Sequence, residues 1–226
     1  MPEYFFESLD ANLDTFLDRA NAQSITSLCW SLAILGKTGQ NEWMLRKLWE
    51  KATEANLASE GLVQLKAVSV HAALAGVTLP INESRGQAMQ EALREHESSN
   101  SVYEDDCSKL LTAAGFKHLR EVSLTEGFGE MLAIDFACKE RKVAVEYNGV
   151  FHYLTDLVEG GAMRYGGGEN GRTKAKRRLM EDLGWTVVML NYADYKEFET
   201  NGEKIKFLRR KLEEAGVALD EETGQY

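Results

Sequence analysis

Two acidic residues stand inside apolar segments that are predicted to be neighbouring β-strands. Asp135 lies in the hydrophobic run of residues 132–136, and Glu146 lies in that of residues 143–147. A carboxylate inside a buried strand is costly unless a partner compensates its charge. The two acids therefore require a metal ion, a basic side chain or a ligand, and the basic side chains considered are Lys174, Lys176 and Arg178.

A basic segment follows the glycine-rich residues 159–171 and is predicted to form a helix over residues 172–183. The first turns of a helix favour anions, because the amides there are unpaired and the helix dipole is positive. Glycine also lets a backbone approach a ligand closely. The pattern predicts a cradle for a phosphate backbone, and the alternative is an ordinary solvated helix face. The cations in question are Arg172, Lys174, Lys176, Arg177 and Arg178.

A histidine and several aromatic residues lie near these cations in the sequence. His152 fits a phosphate contact or a proton donor, and the alternative is a half-buried histidine bonded to a backbone carbonyl. Aromatic rings beside a basic groove stack bases, at roughly 1–3 kcal/mol each. The alternative for Tyr147 is burial on the other face of the sheet. The further candidates for nucleic-acid contact are Tyr147, Arg164 and Tyr165, and Phe151 and Tyr153 are interleaved with them.

The overall charge excludes a protein that binds nucleic acids non-specifically over its whole surface. The 226 residues carry a net charge of −10, whereas phosphate contacts need Lys and Arg. Residues 139–178 depart from this average, with nine Lys or Arg against five Asp or Glu. A basic face on an acidic body indicates a specific partner surface.

Cysteine spacing and hydropathy restrict the cellular setting. Cys29, Cys107 and Cys138 share no C-x-x-C spacing, which favours small buried residues in a reducing compartment over zinc or disulfides. No apolar run approaches the ~20 residues of a membrane span, so no membrane partner is expected. The first residues are acidic and fit neither a signal peptide nor a transit peptide.

The first part of the chain, residues 1–98, is predicted to be a helical domain. Residues 27–36 align with residues 67–76, forty positions later, and each segment ends in glycine. Periods of this length are typical of stacked helix pairs. A plain helical bundle is the alternative. The polar residues 97–101 form the most linker-like stretch and mark the boundary.

The second part, residues 99–226, is predicted to be an α/β domain with a C-terminal helix and an acidic tail. A helix that crosses between the last two strands makes that pair parallel. The fold class is therefore α plus α/β, with an αβββαβ mixed sheet after the helical domain. The predicted elements are a helix at 102–114, strands at 117–124, 131–138 and 142–148, a loop at 159–171, a helix at 172–183, a strand at 185–191 and a helix at 201–215.

Three spaced motifs resemble a RAP domain, a small RNA-binding module of organellar proteins. They are Val-Glu-Tyr-Asn-Gly-Val-Phe-His at 145–152, Gly-Arg-Thr-Lys at the start of 171–179, and Leu-Gly-Trp at the start of 183–188. The resemblance covers residues 102–217. RAP domains are similar in fold to the PD-(D/E)xK restriction endonucleases. The helical part resembles the degenerate repeats of FAST-kinase-like and octotricopeptide proteins.

The endonuclease resemblance implies specific roles for the acidic residues. In those enzymes an Asp on the second strand and a Glu on the third hold Mg²⁺, and a Lys two residues later stabilises the transition state. The matching positions are Asp135, Glu146 and Asn148, with His152 as a further catalytic candidate. Asn148 is neutral and cannot replace the Lys. We therefore expect a non-catalytic protein without a cofactor, in which Mg²⁺ binds at Asp135 and Glu146 only if nuclease activity survives.

The RAP resemblance implies RNA binding in an organelle, with the mitochondrion expected and the chloroplast as alternative. The implied roles are RNA processing or stability, or a place in a ribonucleoprotein such as the mitochondrial ribosome. In such a particle the basic strip would meet rRNA, and the acidic surfaces and helical domain would meet protein subunits. Two other classes stay open: a metal-dependent endoribonuclease and a protein-binding scaffold.

Overall fold

A computed structural model describes residues 3–95, 102–123, 133–157 and 163–220. The chain divides into two compact units, Met1–Glu97 and Ser98–Tyr226. The predicted linker at 97–101 and the acidic tail after residue 220 lie outside the described residues. Among the described residues, no helix is long and apolar enough to cross a membrane.

The first unit is helical, as the apolar periodicity predicts. Helix α3 packs against α4 and α5, and α5 packs against α6. The apolar faces enclose a core that includes Met44, Leu48 and Trp49, and the Trp49 indole Nε1 donates to the carbonyl of Pro80 at 2.7 Å. Its helices are α1 (Glu3–Ala11), α2 (Leu13–Arg19), α3 (Ala22–Ile34), α4 (Glu42–Glu54), α5 (Ser59–Leu74) and α6 (Glu83–Glu95).

The forty-residue period is visible in how α3 and α5 end. Gly36 and Gly76 follow these helices with φ of 66° and 79°. The amide of Lys37 donates to the carbonyl of Leu32, and that of Val77 donates to the carbonyl of Ala72, each at 2.8 Å. This left-handed glycine with a bond back into the last turn is a Schellman-type ending. The two segments that align in the sequence therefore form the same local structure.

The second unit is built around a mixed four-stranded sheet. Its strand order is β1-β2-β3-β6, in which β1 and β2 are antiparallel, β2 and β3 are antiparallel, and β3 and β6 are parallel. The predicted fold class is confirmed. The elements are α7 (Val102–Ala113), β1 (Leu119–Ser123), β2 (Ala133–Cys138), β3 (Val143–Asn148), a 3₁₀ helix (Val150–His152), β4 (Tyr153–Leu157), β5 (Met163–Glu169), α8 (Gly171–Asp182), β6 (Thr186–Asn191), α9 (Tyr192–Tyr195) and α10 (Asn201–Glu214).

Helices cover both faces of this sheet. Side chains alternate between the faces along a strand. Phe136, Val145 and Tyr147 belong to a core shared with α7 and α10, while Ala144 packs in a second cluster with Met180 of α8. On β3 the odd positions thus face α7 and α10, and the even positions 144, 146 and 148 face α8.

The predicted loop at 159–171 is wrong over residues 163–169. These residues form β5, which pairs antiparallel with β4 in a separate two-stranded sheet. Glycine weakens a strand because it contributes no side chain to packing, so the run Gly166–Gly168 favoured a loop. The backbone hydrogen bonds to β4 outweigh that preference.

Candidate functional site

The two strand acids lie opposite each other on β2 and β3. Phe136 pairs with Val145, and Ala137 pairs with Ala144, so this register places Asp135 across from Glu146. The amide of Tyr147 donates to Asp135 Oδ2 at 2.7 Å, and the amide of Asp135 donates to Glu146 Oε1 at 3.4 Å. Each acid thus accepts a hydrogen bond from the partner strand.

Lys176 of α8 supplies the cation that these acids require. Its Nζ lies 2.5 Å from Glu146 Oε2, and the exposed fractions of the two side chains are 23% and 2%. The rotation of α8 about its axis explains why Lys176 is the partner. Met180, one helical turn after Lys176, packs with Ala144. Ala144 lies two residues before Glu146 on the same face of β3. The residue that sequence reasoning placed in an RNA-binding strip therefore points into the protein and pairs with Glu146.

Burial controls how this pair titrates. Desolvation raises the pKa of Glu146 to about 7, and Asp135 adds to the rise while Lys176 opposes it. Desolvation lowers the pKa of Lys176, but the attraction of Glu146 and Asp135 outweighs this, so the net shift is upward. Lys176 consequently stays charged at neutral pH, and the carboxyl of Glu146 is the group that titrates.

A third acid, Glu121 of β1, extends the row, and sequence reasoning missed it. Its neighbours Arg120 and Val122 pair with Phe136 and Ile134, which places Glu121 across from Asp135. Burial raises the pKa of Glu121, and the charge of Asp135 adds to the shift. Glu121 also has a positive φ of 48°, which is uncommon for a residue other than glycine. The one available signal was its place in a short strand next to Asp135 in the predicted sheet.

One oxygen of each strand acid is already engaged by a group of the protein. Glu146 Oε2 is held by the Lys176 ammonium, and Asp135 Oδ2 accepts the Tyr147 amide. Among the described residues, no group of three or more His, Cys, Asp or Glu side chains is placed to hold a metal. The Lys176 ammonium thus lies against one of the two carboxylates that the endonuclease resemblance implied as metal ligands.

Polar side chains gather where the parallel strands β3 and β6 end. Asn148 and Asn191 are register partners there, and the Tyr153 hydroxyl donates to Asn191 Oδ1. Asn148 is only 1% exposed, and its Nδ2 makes no hydrogen bond of full geometry within the described parts of the chain, although its side chain lies close enough to the Tyr153 hydroxyl to oppose the rise in the pKa of that group. Ligands of open α/β sheets bind at this carboxyl edge of parallel strands.

The N-terminus of α8 reaches the same edge of the sheet. Asn170 caps the helix, since its Oδ1 accepts the amide of Thr173 at 2.9 Å and its Nδ2 donates to the Phe151 carbonyl at 2.8 Å. His152 Nδ1 lies 3.2 Å from Thr173 Oγ1. Burial lowers the pKa of His152, and nearby Lys176 lowers it further, so the imidazole is neutral at pH 7. Sequence reasoning missed Asn170 and Thr173, although Asn before Gly at a helix start is a recognisable cap.

Comparison with known proteins identifies the segment that carries this edge. The family model of the RAP domain matches residues 145–211. The chain contains a RAP domain. The match begins in β3 and ends in α10, so it includes Glu146, Lys176 and the α8 N-terminus. A protein of Oryza sativa subsp. japonica, named "RAP domain-containing protein, chloroplastic", is 25% identical over 119 residues. The alignment covers 53% of this chain and 16% of that relative.

Within the RAP domain, the five predicted helix cations separate into inward and outward groups. Arg172 and Lys174 are exposed. Lys176 pairs with Glu146, and Arg177 pairs with Glu169 at 3.1 Å and with Glu181 at 3.5 Å. Arg178 is half-buried and also engaged. The outward positive charge at the helix start therefore rests on Arg172 and Lys174.

The aromatic candidates of the RAP domain also need correction. Tyr147 is buried, faces α7 and α10, and packs edge-on against Tyr195 with ring centroids 5.7 Å apart. Its ring belongs to the core and cannot stack a base, which is the alternative that strand alternation left open. Arg164 and Tyr165 lie on β5, and their side chains fall outside what the structure describes.

Proposed function

We propose that this chain is a non-catalytic RNA-binding protein of an organelle, and that its RAP domain contacts RNA at the N-terminus of α8. One observation carries the proposal. The capped helix start, with exposed Arg172 and Lys174, lies at the carboxyl edge of the parallel strands, as does the buried Asn148, whose Nδ2 has no hydrogen-bond partner in the described ranges of the chain. Helix-terminal amides, cations and a spare donor together suit the acceptor-only oxygens of phosphate.

Local charge supports this site despite the net charge of −10. Two acids of this region are compensated by α8 cations: Glu146 by Lys176 and Glu169 by Arg177. Arg172 and Lys174 therefore act with the positive end of the α8 dipole. The acidic remainder of the protein discourages non-specific adhesion elsewhere on its surface.

The compartment and assembly belong to the same proposal. The name of the rice relative calls it chloroplastic, which supports an organelle, and we retain the mitochondrion as the expected compartment with the plastid as alternative. We propose a role in RNA processing or stability, or as a subunit of a ribonucleoprotein such as the mitochondrial ribosome. In such a particle the N-terminus of α8 contacts rRNA, and the acidic surfaces and the helical unit contact protein subunits.

Removing the two outward cations tests the RNA site. The double variant Arg172→Ala/Lys174→Ala is expected to bind single-stranded RNA about tenfold more weakly at low salt, because two phosphate contacts are lost. The dependence of log affinity on log salt should flatten by about 1.4 units, at ~0.7 per contact. Fluorescence polarisation over a salt series measures both quantities.

A matched control removes two exposed lysines of the same unit. Lys139 lies in the turn between β2 and β3, and Lys206 lies on α10. The variant Lys139→Ala/Lys206→Ala changes net charge equally and is expected to keep both affinity and salt slope near wild type. Equal losses in the two double variants would contradict a site at α8.

The purified protein is expected not to cleave RNA in the presence of Mg²⁺. Its acids already have protein partners, and Asn148 replaces the lysine whose charge stabilisation is typically worth on the order of 10²-fold or more. Gel analysis of end-labelled RNA after long incubation measures this. Mg²⁺-dependent cleavage that disappears in Glu146→Gln would instead establish the endoribonuclease alternative.

A further inference from the structure

We propose that the RAP domain binds its RNA as an unpaired strand, with one base stacked on Phe151 and the adjoining phosphate held at the N-terminus of α8. This inference rests on the proposed function and specifies its ligand. Phe151 is 84% exposed, the highest value among the exposed large hydrophobic residues of the described chain. A phenylalanine left in water forgoes the free energy of burying its ring, and a ligand that covers the ring recovers part of it.

The backbone holds this exposed ring in place. Phe151 lies in the 3₁₀ helix, where its carbonyl accepts the Asn170 Nδ2 at 2.8 Å. The next residue is fixed from both sides, because the amide of His152 donates to Gly149 at 3.1 Å and its carbonyl accepts the amide of Asn170 at 2.9 Å. The ring is therefore presented from an anchored backbone, which lowers the entropy cost of stacking.

The phosphate position follows from the start of α8. The Asn170 side chain accepts the hydrogen bond of the Thr173 amide. The amides of Gly171 and Arg172 precede the first intrahelical hydrogen bond, so they point outward as donors. The side chain of Arg172 is exposed beside them. Since Asn170 also bonds the Phe151 carbonyl, the stacking ring and these donors share one anchoring residue. In RNA a base and its own phosphate are likewise held together, through the sugar that links them. One nucleotide therefore suits both the ring and the amide donors.

Asn148 provides an independent sign of a ligand at this place. Ala144 packs with Met180, and Glu146 pairs with Lys176. Two residues along β3 therefore correspond to about one turn of α8. This agrees with rises of ~3.3 Å per strand residue and ~1.5 Å per helix residue. The next step brings Asn148 opposite the first turn of the helix. Its buried Nδ2 lacks a partner among the described residues. A buried amide without an acceptor is rare, and a phosphate oxygen supplies one.

An exposed aromatic ring next to a phosphate site favours RNA whose bases are unpaired. Inside a duplex both faces of each base are covered by neighbouring base pairs, so a duplex offers Phe151 a ring face only at its two end pairs. A single strand offers a face at every base, and stacking accepts all four bases. The expected ligand is thus a single-stranded segment, a loop or an overhang, bound with little dependence on sequence.

The test compares single-stranded RNA with a duplex of the same length. Phe151→Ala is expected to weaken binding of a 12-nucleotide single strand about tenfold, with little change for a blunt duplex, in which only the two end pairs expose a face. Because no charge is removed, the salt slope should stay at its wild-type value. Phe151→Trp should restore affinity, and its indole fluorescence should change when the single strand is added. Leu119→Ala, an exposed apolar residue on β1, serves as the matched control.

Each outcome has a definite meaning. Wild-type affinity in Phe151→Ala, together with weakened binding in Arg172→Ala/Lys174→Ala, overturns the stacking inference and leaves the proposed function standing. Equal losses for single strand and duplex also overturn it. A wild-type protein that binds neither RNA overturns both proposals. A loss confined to the single strand, with rescue by tryptophan, supports stacking on Phe151.

Discussion

Replacing Lys176 with methionine is expected to lower the free energy of unfolding by about 1–2 kcal/mol at pH 8, since each pH unit above the wild-type pKa of Glu146 costs about 1.4 kcal/mol when that carboxyl must stay protonated. Methionine keeps the length of the side chain but leaves Glu146, which is 2% exposed, without its cation. Removing one partner of a buried pair leaves an uncompensated charge in a poorly solvated place. Urea denaturation of wild type and variant, followed by circular dichroism, measures the difference.

The pH dependence of this loss identifies its cause. Burial raises the folded-state pKa of Glu146 from 4.5 to about 7, and Lys176 holds it below the value that burial alone would give. A raised pKa contributes stability that is complete below the unfolded value and is lost as pH rises through the folded value. Without Lys176 the folded pKa rises further, so the variant's deficit is small near pH 5 and grows above pH 7.

Two comparison variants separate charge from packing. Lys174→Met, on the same helix but exposed, is expected to change stability by less than about 0.5 kcal/mol. In Glu146→Gln/Lys176→Met the carboxylate is gone, so the pH-dependent part of the loss should disappear. A Lys176→Met deficit that is absent, or that is the same at pH 5 and pH 8, would show that the ion pair does not stabilise the fold.

Phe136→Ala is the second substitution with a large expected effect, about 3–5 kcal/mol of lost stability. Phe136 is fully buried on β2 and packs edge-on against His118 with ring centroids 5.3 Å apart. It lies next to Asp135, so its loss loosens the strand that carries the acid row. Leu119→Ala on the exposed edge of β1 should cost far less. A loss below 1 kcal/mol for Phe136→Ala would mean that this core is not what holds β2.

The order of elements could be predicted from the sequence because each element carries its own local signal. Apolar runs separated by turn residues delimit β2 and β3, and the cationic helix between β3 and β6 requires the parallel pairing that the structure shows. The proximity of Asp135 and Glu146 followed from the same reasoning, since adjacent antiparallel strands of known length fix which residues lie opposite each other.

The partner of the acids could not be chosen from the sequence. Lys174, Lys176 and Arg178 all lie in the first turns of α8, and each had the charge to pair with a strand acid. The choice depends on the rotation of the helix about its axis, which is set by the packing of Ala175, Leu179 and Met180. Only the assembled layers determine that Lys176 points inward while Lys174 remains exposed.

The β4–β5 pairing was beyond sequence reasoning for a related cause, and the sequence placed Phe151 among the rings beside the basic segment without fixing its exposure. Glycine-rich residues 166–168 have weak local preferences, so tertiary hydrogen bonds decide their structure. Phe151 is apolar, and burial is the usual expectation for such a residue. The structure exposes it on the short 3₁₀ helix, outside the core clusters of the four-stranded sheet.

A crosslinking map tests the central claim most directly. Ultraviolet irradiation of the full chain bound to single-stranded RNA, followed by mass spectrometry of the crosslinked peptides, reports which residues touch the RNA. We expect crosslinks within residues 149–174, with Phe151 and His152 foremost, and their loss in Arg172→Ala/Lys174→Ala. Crosslinks confined to the helical unit of residues 3–95 would contradict an RNA site on the RAP domain.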